Sequence, residues 1–169
     1  MSIHEFQPMR YRSARTVLRA RIVPAIRGAA ARTARARLRA LLEALCRLPP
    51  NAYEVLEKTR ITMEWTSSDG VALGRARRSP DSADETGGKG QASYVVELSE
   101  RLEGEPREVV LTVVVHELAH VVLRHKTIDD PIENGGQEVG AWSFLHQWGF
   151  AAEANAAAVF LQRDTYPAM

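Results

Sequence analysis

The sequence predicts an α+β fold in which a small twisted, mostly antiparallel sheet packs on helices, with a His-Glu-x-x-His motif on the central helix. Three observations support this prediction. Ile61, Met63 and Trp65 alternate with polar residues, as in a half-buried strand. Between residues 33 and 48, leucines recur at helical spacing. An apolar run over residues 109–123 is longer than a typical strand and contains the motif.

The helices and strands before the motif are predicted from helix-breaking and turn residues and from the spacing of apolar residues along the chain. A helix near residues 13–30 is interrupted by a proline and a glycine, and the helix over 33–48 ends at two prolines. A capping-box pattern then predicts a short helix over 51–58. Period-two alternation and turn residues predict the strands, which lie at 61–66, 71–75 and 92–98, with a polar loop at 79–90.

The motif segment, about 106–125, is rich in β-branched residues, which by propensity favour a strand. Its length favours a helix, and only helical spacing places both histidines on one face. Two further helices are predicted after it, over 137–149 and 152–163.

His116, Glu117 and His120 form the motif and indicate a metal site. Histidines four apart on a helix lie about 6 Å from each other along its axis, close enough to bind one ion. Zinc held by two imidazoles and a carboxylate keeps a position for water and lowers the pKa of that water to about 7. Glu117 is placed to accept the proton of this water. The pattern therefore predicts a zinc-dependent metalloendopeptidase that hydrolyses peptide bonds, whereas the alternative is a polar stripe on a buried helix.

The third metal ligand must come from outside the motif, and Glu138 is the preferred candidate. It is expected in the first turn of the 137–149 helix, where an acidic residue could also serve only to complement the helix dipole. His125 lies one position too early for a third-histidine pattern. Glu133 is expected in a loop, and His146 among aromatic residues is expected in the core.

The segment HELAHVVLRH, followed by Glu138-Val139-Gly140-Ala141, resembles the ImmA/IrrE group of bacterial metallopeptidases. It is also similar to the C-terminal metallopeptidase domain of ArdC-type antirestriction proteins. The resemblance covers about residues 92–164 and implies a zincin-like gluzincin domain with Glu138 as third ligand and Ala141 as its small partner. Many relatives carry an acidic residue where Gly140 stands. A second stretch similar to the family begins at Glu153. It is interpreted as coincidence, so Glu153 remains only a less favoured candidate for the third metal ligand.

A substrate site is predicted on the strand before the motif helix. If Ala92–Glu97 forms the sheet edge, an extended peptide could add to it as a further strand, bound along Tyr94, Val95 and Val96. The alternative is a plain edge strand shielded by the 79–90 loop. The resemblance implies that the substrate is a regulatory protein such as a DNA-binding repressor.

Charge divides the chain into two predicted parts, a basic helical segment at 1–50 and a metallopeptidase domain at 51–169. Residues 1–50 hold 11 Arg against two Glu, a net charge of +9, which leaves −8 for the remainder of a chain with net charge +1. The basic segment could bind nucleic acid or be a solvated face. The alternative function is therefore a DNA-associated antirestriction protein with a structural or vestigial zinc site.

Three features of the sequence suggest the cellular compartment of the protein. The chain contains no apolar run of membrane-spanning length and no signal-peptide pattern, and its only cysteine is Cys46. A single cysteine excludes an internal disulfide framework. The expectation is a cytoplasmic protein without a membrane partner.

Overall fold

A computed structural model describes residues 16, 31–66, 73–79, 93–125 and 131–165. The predicted 13–30 helix and 79–90 loop lie almost entirely outside these residues, as do most of the arginines in the basic segment. The five helices are α1 (Ala31–Arg47), α2 (Pro50–Lys58), α3 (Arg107–Val122), α4 (Pro131–Gln147) and α5 (Ala151–Thr165). The three strands are β1 (Arg60–Thr66), β2 (Gly74–Arg78) and β3 (Ser93–Ser99), and a 3-10 turn, Glu100–Leu102, follows β3.

The sheet is mixed, with the strand order β1-β3-β2. β1 runs parallel to β3 in a register that places Arg60 opposite Ser93, whereas β2 runs antiparallel to β3 with Gly74 opposite Leu98. The α+β class is confirmed, but the expected mostly antiparallel sheet is wrong because one of its two pairings is parallel. β2 does not fold back on β1 as a hairpin. Instead, β3 inserts between them.

Helix α3 is the centre of the fold. It contacts the other four helices and the strands β2 and β3. Every residue from Val109 to Val121 is buried, so the helix is covered on all sides, as expected for a helix that is apolar around its circumference. The prediction of a helix in a β-branched segment is confirmed, because burial on every face outweighs strand propensity. Pro106 is the residue before the helix rather than its first residue.

Helix α1 joins the core through the second half of the basic segment. Its inner face contributes Leu41, Ala44 and Leu45, and Leu48 follows in the same core cluster. The predicted helix over 33–48 is confirmed, with bounds shifted by one or two residues. None of the described helices has both the length and the apolar character needed to cross a bilayer.

Candidate metal centre

His116 and His120 lie one turn apart on α3 with buried side chains. Their Nε2 atoms are 3.1 Å apart, and their ring centroids are 4.8 Å apart at an interplanar angle of 71°. The prediction that both rings share one helix face is confirmed. Trp142 of α4 packs on the His116 ring with centroids 4.9 Å apart, so α4 helps to hold this imidazole.

Glu138 of α4 reaches both imidazoles. Its Oε2 lies 2.9 Å from Nε2 of His116, and its Oε1 lies 3.5 Å from Nε2 of His120. The expectation that Glu138 stands in a first helical turn is wrong, because α4 begins at Pro131. The dipole of a helix N-terminus therefore does not account for this carboxylate, since that effect fades within one turn.

The three donor groups of His116, His120 and Glu138 could hold a metal ion. In a tetrahedral zinc site with bonds of about 2.0–2.1 Å, neighbouring donor atoms are about 3.3 Å apart. The contacts among these residues, at 2.9, 3.1 and 3.5 Å, bracket that value. The residues therefore fit a metal both in donor chemistry and in spacing.

The carboxylate of Glu138 stays ionised. Hydrogen bonds from His116 and His120 hold its pKa well below the ordinary value for a glutamate, although partial burial acts in the opposite direction. A permanent negative charge beside two imidazoles favours a bound cation.

Glu117 lies beside this cluster and is almost fully buried. The pKa of Glu117 is raised to about 7, chiefly by burial and also by the charge of Glu138, while His120 and a hydrogen bond from the Ala76 backbone act in the lowering direction. A carboxyl group with a pKa near neutrality can both accept and return a proton at physiological pH.

Strand β2 lies directly against Glu117. A Cβ at Gly74 would stand 2.7 Å from Oε1 of Glu117 and 2.8 Å from Cγ1 of Val113, so this position has room only for glycine. No sequence pattern indicates this contact, because a glycine at the start of a strand is ordinary.

The side of β2 that points away from β3 borders the same site. The C=O of Leu73 accepts from the Ser99 N–H, and the Ser79 N–H donates to the C=O of Ser93. Alternation along an antiparallel pair then turns the backbone groups of residues 74, 76 and 78 away from β3. The hydrogen bond from the Ala76 N–H to Glu117 agrees with this direction. In the part of the chain that the structure describes, β2 is thus an edge strand that borders the candidate metal centre.

The predicted substrate edge requires correction. β3 is the central strand and pairs on both sides, so the backbone of Tyr94, Val95 and Val96 offers no free edge. The side chains of Tyr94 and Val96 are buried as well. β3 is central because it supplies apolar side chains to the core, whereas three of the five residues of β2 are arginines, which suit an exposed edge.

The other candidate ligands lie elsewhere. The Nδ1 of His125 contacts the Nδ1 of His120 at 2.9 Å, on the side of that ring away from Glu138. His146 is exposed rather than in the core. Glu133 is in α4 rather than a loop, and its side chain lies outside the described residues. Glu153 pairs with Arg47 and does not belong to the metal group.

Comparisons with protein-family models, curated proteins and solved structures find no significant match to this chain. The resemblance to ImmA/IrrE and ArdC-type proteins therefore rests on the residues that carry it and stays a prediction.

Proposed function

We propose that the protein is a zinc-dependent metalloendopeptidase. The observation that carries the proposal is the convergence of Nε2 of His116, Nε2 of His120 and the carboxylate of Glu138, with the buried carboxyl of Glu117 beside them. A purely structural metal site has no need of a proton acceptor with a pKa near 7 next to the ligands.

Zinc is the metal that best suits the donors. Two imidazoles and one carboxylate are the protein ligands of many catalytic zinc sites, which leave a position open for water or substrate. Magnesium and calcium prefer sites made mainly of oxygen. His116, His120 and Glu138 would hold the ion.

The reaction uses residues of this chain for proton transfer. When bound, zinc supplies a water of lowered pKa and an electrophile for the scissile carbonyl. The Glu117 carboxylate would accept a proton from the water that adds to the carbonyl carbon. It then delivers the proton to the nitrogen of the leaving amine as the C–N bond breaks. The Ala76 N–H holds the Glu117 carboxylate in place between these two transfers.

An extended peptide fits the outer edge of β2. The outward N–H of Gly74 and the outward C=O groups of residues 74 and 76 could pair with a substrate strand, which would pass close to Glu117. Edge pairing binds the backbone of many sequences, which agrees with an endopeptidase. The family resemblance favours a repressor protein as the natural substrate. The peptidase would recognise such a protein partly through surfaces other than the edge of β2.

The proposal is tested with the purified full chain, loaded with one zinc ion and incubated with a library of unstructured peptides. We expect the native protein and the control Glu54→Gln, on an exposed face of α2, to cleave peptides. We expect Glu117→Gln to keep zinc but lose cleavage, because the amide cannot accept the proton. Mass spectrometry of the products measures peptide cleavage, and metal analysis measures bound zinc. Undiminished cleavage by Glu117→Gln would refute its role.

The same material separates this proposal from a DNA-associated protein. Salt-dependent DNA binding that disappears when residues 1–40 are deleted, together with no cleavage by the zinc-loaded native protein, would favour the antirestriction alternative.

A further inference from the structure

We propose that His125 is a positioning residue that fixes the tautomer and the ring orientation of His120 for metal binding. The proposal rests on the metal centre described above. It concerns the nitrogen of His120 that faces away from the metal, where many metal-binding histidines donate to a carboxylate or a backbone carbonyl. Here an imidazole takes that place.

The end of α3 is built so that His125 meets His120. The Arg124 N–H donates to the C=O of Val121 at 3.1 Å, and the His125 N–H donates to the C=O of His120 at 3.0 Å. These two bonds and a left-handed Arg124, with φ of 56°, make a Schellman motif.

In a Schellman motif the residue after the left-handed position commonly packs on the residue five earlier through a hydrophobic contact. In this chain those two residues are His125 and His120. Their Nδ1 atoms lie 2.9 Å apart and their ring centroids 4.9 Å apart. The helix end has thus replaced a hydrophobic contact by a hydrogen bond between imidazoles.

Metal binding determines which ring donates. If His120 binds a cation through Nε2, that nitrogen carries no proton, and the neutral ring must carry its proton on Nδ1. The Nδ1–H of His120 then donates to Nδ1 of His125, whose own proton lies on Nε2. The Nε2 of His120 already faces Nε2 of His116 at 3.1 Å, so this tautomer matches the observed orientation.

Gly140 of α4 lies beside the His125 ring. A Cβ at this position would be 3.6 Å from Cε1 and 3.8 Å from Nε2 of His125, an ordinary contact distance. The ring therefore packs against α4 at this position.

The test compares two substitutions that separate hydrogen bonding from packing. His125→Phe keeps an aromatic ring but removes the acceptor. His125→Asn removes most of the ring but keeps an acceptor oxygen bonded to Cγ, as Nδ1 is. Zinc affinity is measured by competition with a chromophoric chelator, and thermal unfolding of the metal-free proteins checks that each variant folds.

We expect His125→Phe to bind zinc about 10–100-fold more weakly, which is the usual effect of losing such a partner. His125→Asn should bind nearly as tightly as the native protein. A role in packing alone predicts the opposite order, so weaker binding by His125→Asn than by His125→Phe would overturn the proposal. Native-like affinity of His125→Phe would overturn it as well. A native protein that binds no zinc would refute both this inference and the metal centre itself.

Discussion

The backbone N–H of Ala76 donates a hydrogen bond to the carboxylate of Glu117, and so joins the edge strand β2 to the helix that bears the two histidines. In the proposed peptidase this contact would join a backbone edge for the substrate to a proton acceptor for water. Since Gly74 lies against the same carboxylate, two neighbouring positions of β2 define the location of Glu117.

Glu138→Gln is expected to weaken zinc binding by more than the about 10–100-fold that loss of an outer hydrogen-bond partner costs, because it removes a ligand charge. The side chain is 44% exposed and the change conserves its shape, so the fold should persist. Chelator competition and circular dichroism measure the two effects. The control Glu54→Gln should bind zinc normally, and native-like affinity of Glu138→Gln would place the third ligand elsewhere.

Gly74→Ala is expected to reduce peptide cleavage by about tenfold or more, because a Cβ there must displace either Glu117 or β2. Zinc affinity should change little, since the three atoms nearest to the added Cβ belong to Glu117 and Val113. The matched control is Gly135→Ala in α4, where nothing lies within 4 Å of the added Cβ. Full cleavage activity of Gly74→Ala would show that the position of Glu117 against β2 is not needed for activity.

The ion pair between Arg47 and Glu153 is expected to stabilise the fold in a pH-dependent way. Arg47 also donates to the C=O of Gly149 at 2.7 Å and stacks on Phe150, so α1 is tied to the start of α5. The hydrogen bond from Arg47 holds the pKa of Glu153 below its ordinary value. The stabilisation is therefore present above about pH 4.3 and is lost as the pH falls through the lowered pKa.

Glu153→Gln should accordingly destabilise the protein by about 1 kcal/mol at pH 7 and by less at pH 3, measured by urea unfolding. The exposed Glu57→Gln in α2 serves as control and should have little effect at either pH. Equal destabilisation by Glu153→Gln at both pH values would assign the effect to packing instead.

Arg124→Gly is expected to stabilise the protein by about 1 kcal/mol, because a left-handed backbone costs an arginine more than a glycine. The opposite sign is expected for Arg39→Gly, on an exposed position inside α1, which should lose about 1 kcal/mol. Thermal unfolding compares the two variants with the native protein. A loss of stability in Arg124→Gly would mean that the arginine side chain contributes more than its backbone costs.

The sequence by itself determined the helix that carries His116 and His120, because spacing along one helix is a local property. It also placed α1, β1 and the α+β class, each from a periodic pattern that burial of one face imposes. Glu138 was chosen as the candidate third metal ligand from its distance after the motif, although its helix starts earlier than expected.

Only the tertiary structure decided which strand lies at the edge, why Gly74 is a glycine and where His125 points. These depend on pairing and packing between residues distant in sequence, which periodicity does not encode. Tyr94, Val95 and Val96 form a strand, as predicted, but this strand is central rather than at the edge of the sheet. Strand order depends on which strand can pair with both of the others, and that is decided only when the sheet folds. The raised pKa of Glu117 has the same origin, since burial, to which β2 contributes, and the charge of Glu138 on α4 raise it.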